Sequence, residues 1–284
     1  MPAADPLRAG FVGLGSQGAG MAQRLVDCGV PTTLWARRAE SLVPFAGRVD
    51  VAPDLPALGR ASDVVGVCVT DGEAVRSVAL GPDGVLAGMA AGSVLAVHST
   101  IGPDECAALA AAGAARGVHV LDAPVSGGGA AAAAGQLTVY LGGDAAAVAV
   151  ARSVLDHYGE TVLHMGPLGS GLRTKLMNNA LVAAHFALAH DAMTTGKPET
   201  DSSAGRARVL HGAREVRHRI RNDLGLIMAS TGLLETPAFS RDAEALQAIR
   251  IAIDRLIADT DELYSIATGG RARWWGRISR WLFG

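Results

Sequence analysis

The chain has 284 residues, 49% of them hydrophobic and 18% charged, with a formal net charge of −2. That length makes one large domain or two small ones, and without a basic excess to neutralise phosphates a general nucleic-acid binder is excluded. Cys28, Cys68 and Cys106 are widely spaced and form no CxxC, so they read as reduced, buried thiols of a cytoplasmic protein; no signal peptide opens the chain, and no apolar run reaches the roughly 20 residues of a membrane span.

Residues 8–12 lead into Gly13-Leu14-Gly15-Ser16-Gln17-Gly18. The stretch after it reads as a helix, with Ala22, Leu25 and Val26 on its apolar face and Gly29 at its end. PTTLWARR then reads as a short strand. Strand, GxGxxG, helix and strand is the context that a dinucleotide fingerprint requires. The first glycine permits the tight turn, the second lets backbone approach the pyrophosphate, and the third lets helix and strand pack closely. The pyrophosphate then meets the positive helix N-terminus.

An Asp or Glu at the end of the second strand would take the ribose hydroxyls of NAD. This chain has Ala36, Arg37 and Arg38 there. No carboxylate repels a 2′-phosphate and Arg37 is suited to bind one, so NADP is favoured over NAD. The alternative is that Arg37 and Arg38 form a solvated turn.

Further apolar strands are predicted at 61–70, 92–100, 117–125 and 137–143, with helices near 72–80, 104–115 and 145–155. Apolar runs of this kind suit a parallel sheet covered on both faces. Ligands sit outside the carboxyl ends of such strands, which singles out Thr70, Ser99, Thr100 and the Ser126-Gly127-Gly128 turn. Pro124 stiffens the approach to that turn, where a hydroxyl and uncovered N–H groups suit a substrate carboxylate. Ala130–Ala134 reads as a small-residue helix that packs closely.

From Gly171 the pattern is that of a long helix. It carries Lys175, the only lysine in the first 195 residues. Arg keeps its proton in proteins, whereas a desolvated Lys shifts toward neutrality, so a lysine where arginine is the habit points to proton transfer. Asn179 is four residues on and shares its face; Leu176, Leu181 and Ala184 fall on other faces. An ammonium and an amide together suit the grip on a hydroxyl or carbonyl oxygen while hydride moves to or from nicotinamide. A solvated helix lysine is the bland alternative.

GLGSQGAGMAQRL, HST, DAPVSGG, GQLTVYLGGD and GPLGSGLRTKLMNN, in this order, resemble the β-hydroxyacid dehydrogenase family, of which 3-hydroxyisobutyrate dehydrogenase is typical, over residues 8–193. The resemblance implies a Rossmann domain and oxidation of a short β-hydroxyacid, or the reverse reduction, with NADP or NAD. It makes Lys175 the catalytic lysine, Asn179 its substrate-binding companion, and Ser126, Gly127 and Gly128 the loop for the substrate carboxylate. Thr100 matches a position near the nicotinamide. Gln17 departs from the family's usual Met without changing the glycine backbone.

Beyond Met193 the pattern departs. Residues 194–208 contain Pro198 and read as a linker, and no equivalent of the family's C-terminal domain is evident. Residues 209–267 read as two helices with apolar spacings of 3 and 4, a hairpin that buries both seams as a four-helix bundle in a homodimer. Arg214–Asn222 resembles the HRxKN-type phosphoacceptor box of histidine kinases, with His218 as acceptor and a kinase or response regulator as partner. Residues 268–284 set arginines among Trp274, Trp275, Trp281 and Phe283, a composition for peripheral contact with an anionic membrane or for packing on the bundle. The expected order is thus a doubly wound α/β NADP domain at 7–165, a helix with the reactive lysine at 166–193, and an all-α hairpin. No metal site is expected. An NADP-sensing signalling protein without turnover is the alternative to the enzyme.

Overall fold

The computed structural model describes residues 6–179. The chain divides into two compact units between Leu176 and Met177, and almost all described residues belong to the first. The linker, the hairpin with His218 and the basic tail lie outside the described residues.

Six parallel strands form the main sheet: β1 (Ala9–Val12), β2 (Thr32–Trp35), β3 (Asp50–Val51), β4 (Val64–Val67), β5 (Val94–Val97) and β6 (His119–Asp122). Their order is β3-β2-β1-β4-β5-β6, the doubly wound arrangement whose direction reverses between β1 and β4. Successive side chains of a strand point to opposite faces. Phe11, Val64, Val94, Ala96 and Leu121 accordingly enter one core, and Val12, Val65, Leu95, Val97 and Val120 the other. Both faces are covered, which is why these strands are apolar throughout.

The helices between them begin as their sequences dictate. α2 (Leu55–Arg60), α3 (Gly72–Ala79) and α6 (Ala145–Leu155) are each capped by the preceding aspartate, Asp54, Asp71 and Asp144, which accept backbone N–H groups of the first turn. α4 (Pro103–Ala114) has Glu105 accepting from the Gly102 N–H instead. α1 (Ser16–Asp27) has neither a side-chain cap nor an acid in its first turn.

The strand expected at 137–143 does not join the parallel sheet. β8 (Leu137–Leu141) is the centre of a second sheet, antiparallel to β7 (Val125–Ser126) and parallel to β9 (Gly159–His164). Asp122 joins the two sheets: it pairs with Val97 in the first and exchanges backbone hydrogen bonds with Gly142, just past β8, in an isolated bridge. Between β7 and β8 lies α5 (Gly128–Ala134), the small-residue helix the alanines predict. It packs on α1 so tightly that a Cβ on Gly20 would stand 2.9 Å from the Cβ of Ala132.

A buried polar chain also spans the two sheets. The His98 Nδ1–H donates to the Ala123 carbonyl at 2.8 Å, and Nε2 accepts the Tyr158 hydroxyl proton at 2.9 Å. Phe11 stacks on the imidazole from the other side. The cysteines are free, but only Cys106 is buried; Cys28 is exposed at the C-terminal end of α1 and Cys68 is half-buried, which corrects the expectation of three buried thiols.

Candidate active site

Strand register brings the predicted site segments to one edge. Val12 pairs with Val67, Val67 with Val97, and Val97 with Asp122. The residues that follow these four leave the sheet side by side: the glycine turn from Gly13, the segment 68–70, the segment 98–100, and the segment 123–126.

In the glycine turn each glycine has a different reason. Gly13 has φ +94°, and a side chain there would also strike the carbonyl of Cys68. Gly18 lies against the Gly13 carbonyl, with no room for a methyl. At Gly15, by contrast, a Cβ would meet nothing within 4 Å. Open space at the start of an uncapped helix with no acid in its first turn is a cradle suited to a phosphate. Leu14 packs against the core, and Ser16 and Gln17 begin α1. Arg37 and Arg38 follow β2; both are exposed, and neither makes an ion pair or side-chain hydrogen bond among the described residues. The turn, the bare helix start and the two unpaired cations fit a phosphorylated dinucleotide.

Thr70 and Thr100 are exposed at the same edge. Ser99, between them in role, is buried: its hydroxyl accepts from the Val69 N–H at 2.9 Å and donates to the Val69 carbonyl at 2.8 Å, locking one loop to the next. Thr70 turns its hydroxyl to Asp71 at 3.3 Å.

The second cluster gathers where β7 ends. Ser126 is half-buried, and Gly127 follows with φ +133°, outside the range of other residues. A further helix, α7, runs through 170–179. Its Lys175 Nζ donates to Ser126 Oγ at 3.3 Å across 49 residues of sequence. Among the described residues no acid pairs with this lysine, and burial pulls its pKa from 10.5 to about 8. At pH 7 about a tenth of the amine is then neutral, and the share rises quickly above it. Leu176, on another side of the helix, is 43% exposed. Asn179, the last described residue, is exposed and falls in the second unit.

Sequence reasoning placed Asp122 at the head of the DAPVSGG stretch without a role. The structure buries its carboxylate completely and gives it two backbone partners at the start of α7: the Gly169 N–H at 2.6 Å and the Leu172 N–H at 2.7 Å. Burial raises its pKa above the ordinary 3.8, against the two hydrogen bonds, which lower it. The available signal was a carboxylate closing an apolar strand with no nearby cation.

Residues 8–166 match the family described as the NAD binding domain of 6-phosphogluconate dehydrogenase. The chain belongs to that family. Its six-stranded unit is thus an NAD(P)-binding domain, in line with the resemblance carried by the glycine turn. An uncharacterized oxidoreductase of Mycobacterium tuberculosis is 36% identical over 186 residues, 65% of this chain and 63% of that protein. The L-threonate dehydrogenase of Cupriavidus necator is 36% identical over 192 residues, 67% of this chain and 65% of that enzyme. Among solved structures, the Mycobacterium tuberculosis 3-hydroxyisobutyrate dehydrogenase with L-serine is similar at a TM-score of 0.61 and 25% identity, over 90% of this chain and 95% of that one. The chain spans about 63% of the length of the first curated relatives it matches. Among the described residues, no helix is long and apolar enough to cross a membrane, and no group of three or more His, Cys, Asp or Glu is placed to hold a metal ion.

Proposed function

We propose that this chain is an oxidoreductase that interconverts a short β-hydroxyacid and its carbonyl product, with NADP preferred over NAD. The observation that carries the reading is the half-buried Lys175, without an acidic partner among the described residues, with its Nζ 3.3 Å from Ser126 Oγ. The dinucleotide supplies the hydride chemistry at the carbon that bears the oxygen. In the oxidation direction, neutral Lys175 takes the hydroxyl proton at Nζ and later gives it to solvent; in reduction, the ammonium donates it. Ser126, with the backbone of Gly127 and Gly128, holds the substrate carboxylate. Gly13–Gly18 would seat the pyrophosphate, Thr70 would line the cofactor side, Thr100 would lie near the nicotinamide, and Arg37 with Arg38 would take the 2′-phosphate.

The test is a screen of short β-hydroxyacids with NADP and NAD on the full chain, following reduced nicotinamide. We expect turnover with at least one acid and a loss in Lys175→Ala of about 10²–10⁴-fold in kcat, the size of a general acid–base contribution. Nucleotide binding without turnover on any acid, or wild-type rates in Lys175→Ala, would overturn the reading.

A further inference from the structure

Three aspartates of this fold cap helices that start within three residues of them, as local sequence dictates. Asp122 does something else. It closes β6, four residues before Ser126, yet its two carboxylate oxygens reach N–H groups 47 and 50 residues away, at the first turn of α7. Leu172, one of the two donors, precedes Lys175 by three residues, about one helical turn. The backbone from Asp122 to Ser126, the contact from Ser126 to Lys175, the turn from Lys175 back to Leu172 and the bond from Leu172 to Asp122 form a closed ring.

The surroundings are shaped for this carboxylate. A methyl on Gly142 would strike Oδ1, and one on Gly171 would stand 2.9 Å from Oδ2 and press on the Tyr140 carbonyl. No salt bridge is made to it among the described residues; only the more distant charge of Arg173 favours its ionised form, and a buried carboxylate is costly. Its direct partners are two N–H donors at a helix start, backed by the helix dipole. A neutral amide in its place would offer one acceptor and turn an NH₂ toward the other donor.

We propose that Asp122 is a positioning residue for the Lys175–Ser126 pair, its carboxylate tying the helix that carries the lysine to the strand that leads to the serine. This rests on the functional reading given above.

The test is Asp122→Asn in the full chain, with Asp63→Asn as a comparator that loses only the exposed Arg8 pair. We expect kcat to fall about 10- to 100-fold, the usual cost of a small misplacement of a reacting group. The KM for NADP should hold, since the glycine turn is untouched. The chain has two lysines, Lys175 and Lys197, so acetylation of each is separable by mass spectrometry. The pH at which Lys175 labelling is half-maximal, near its value of about 8 in the wild type, should move up in Asp122→Asn and stay in Asp63→Asn. A purely structural role would lower the melting temperature and leave that inflection in place. If Asp122→Asn does not fold, amide exchange in the wild type decides: slow exchange at Gly169 and Leu172 supports the tie, and fast exchange there overturns it. An unmoved inflection with wild-type kcat also overturns it. If the wild type turns over no hydroxyacid, the functional reading fails by itself, while labelling and exchange still decide the role of Asp122.

Discussion

The hydroxyl of Tyr158 donates to Nε2 of His98 at 2.9 Å, and both side chains are buried away from water. Since Nδ1–H is committed to the Ala123 carbonyl, this imidazole has no place for a second proton. Burial holds its pKa at about 4, below the ordinary 6.5. The unfolded chain binds that proton first, so the contribution of His98 to stability is whole above pH 6.5, is lost as pH falls from 6.5 to 4, and is gone below. The gap is worth on the order of 3 kcal/mol. Asp122, with its raised pKa, acts in the opposite sense at the acid end. Urea unfolding at pH 7 and pH 4.5 should show the loss in the wild type, and a flat profile would refute it.

Lys175 predicts a pH profile with a fixed sign. If Lys175 is the proposed base, oxidation needs the neutral amine, so kcat/KM should rise with pH, reach half its plateau near 8, and level off above. The reduction should fall through the same value. The depressed pKa also means that charging Lys175 at pH 7 opposes folding. Lys175→Met should therefore lower turnover by about 10²–10⁴-fold, as expected for Lys175→Ala, and raise stability by on the order of 1 kcal/mol after screening of this half-buried group. A variant that is both inactive and less stable would contradict this.

The glycine turn separates folding from binding. Gly15→Ala adds a methyl where nothing lies within 4 Å, and the backbone there is extended, so the fold should be kept. The dinucleotide should bind at least about tenfold more weakly, because the methyl occupies the approach to the pyrophosphate. Gly18→Ala, which meets the Gly13 carbonyl, should instead destabilise the protein, by about 1–3 kcal/mol. Thermal melts with and without NADP distinguish the two.

Arg37 and Arg38 stand exposed and make no ion pair among the described residues, so their removal should cost the fold little. Arg37→Ala with Arg38→Ala should weaken NADP by about 10- to 100-fold, as expected for lost charge-assisted bonds to phosphate, and leave NAD nearly unchanged. Equal losses for both nucleotides would place the 2′-phosphate elsewhere.

The apolar strands and the GxGxxG were legible because parallel strands buried on both faces leave long apolar runs. β3 and β9 were not. Asp50–Val51 is two residues long and exposed, and Gly159–His164 opens on a glycine and mixes polar residues, so neither carries a pattern. α2 was missed behind its proline and glycine, although Asp54 announces its start. Within the candidate site, Lys175 and Ser126 were each singled out, but not their 3.3 Å contact, and Asp122 was unreadable because its donors come from 47 and 50 residues downstream.

The seam between α1 and α5 works as a spacer of fixed gauge. One helix begins at the glycine turn and the other beside Ser126, and they are kept at their distance by a residue with no side chain, Gly20, resting on one with a single methyl, Ala132. Bulk added there would spread the two helix starts and so widen the opening between the glycine turn and the serine, a route to altering which substrate fits the proposed site without changing Lys175 or Ser126.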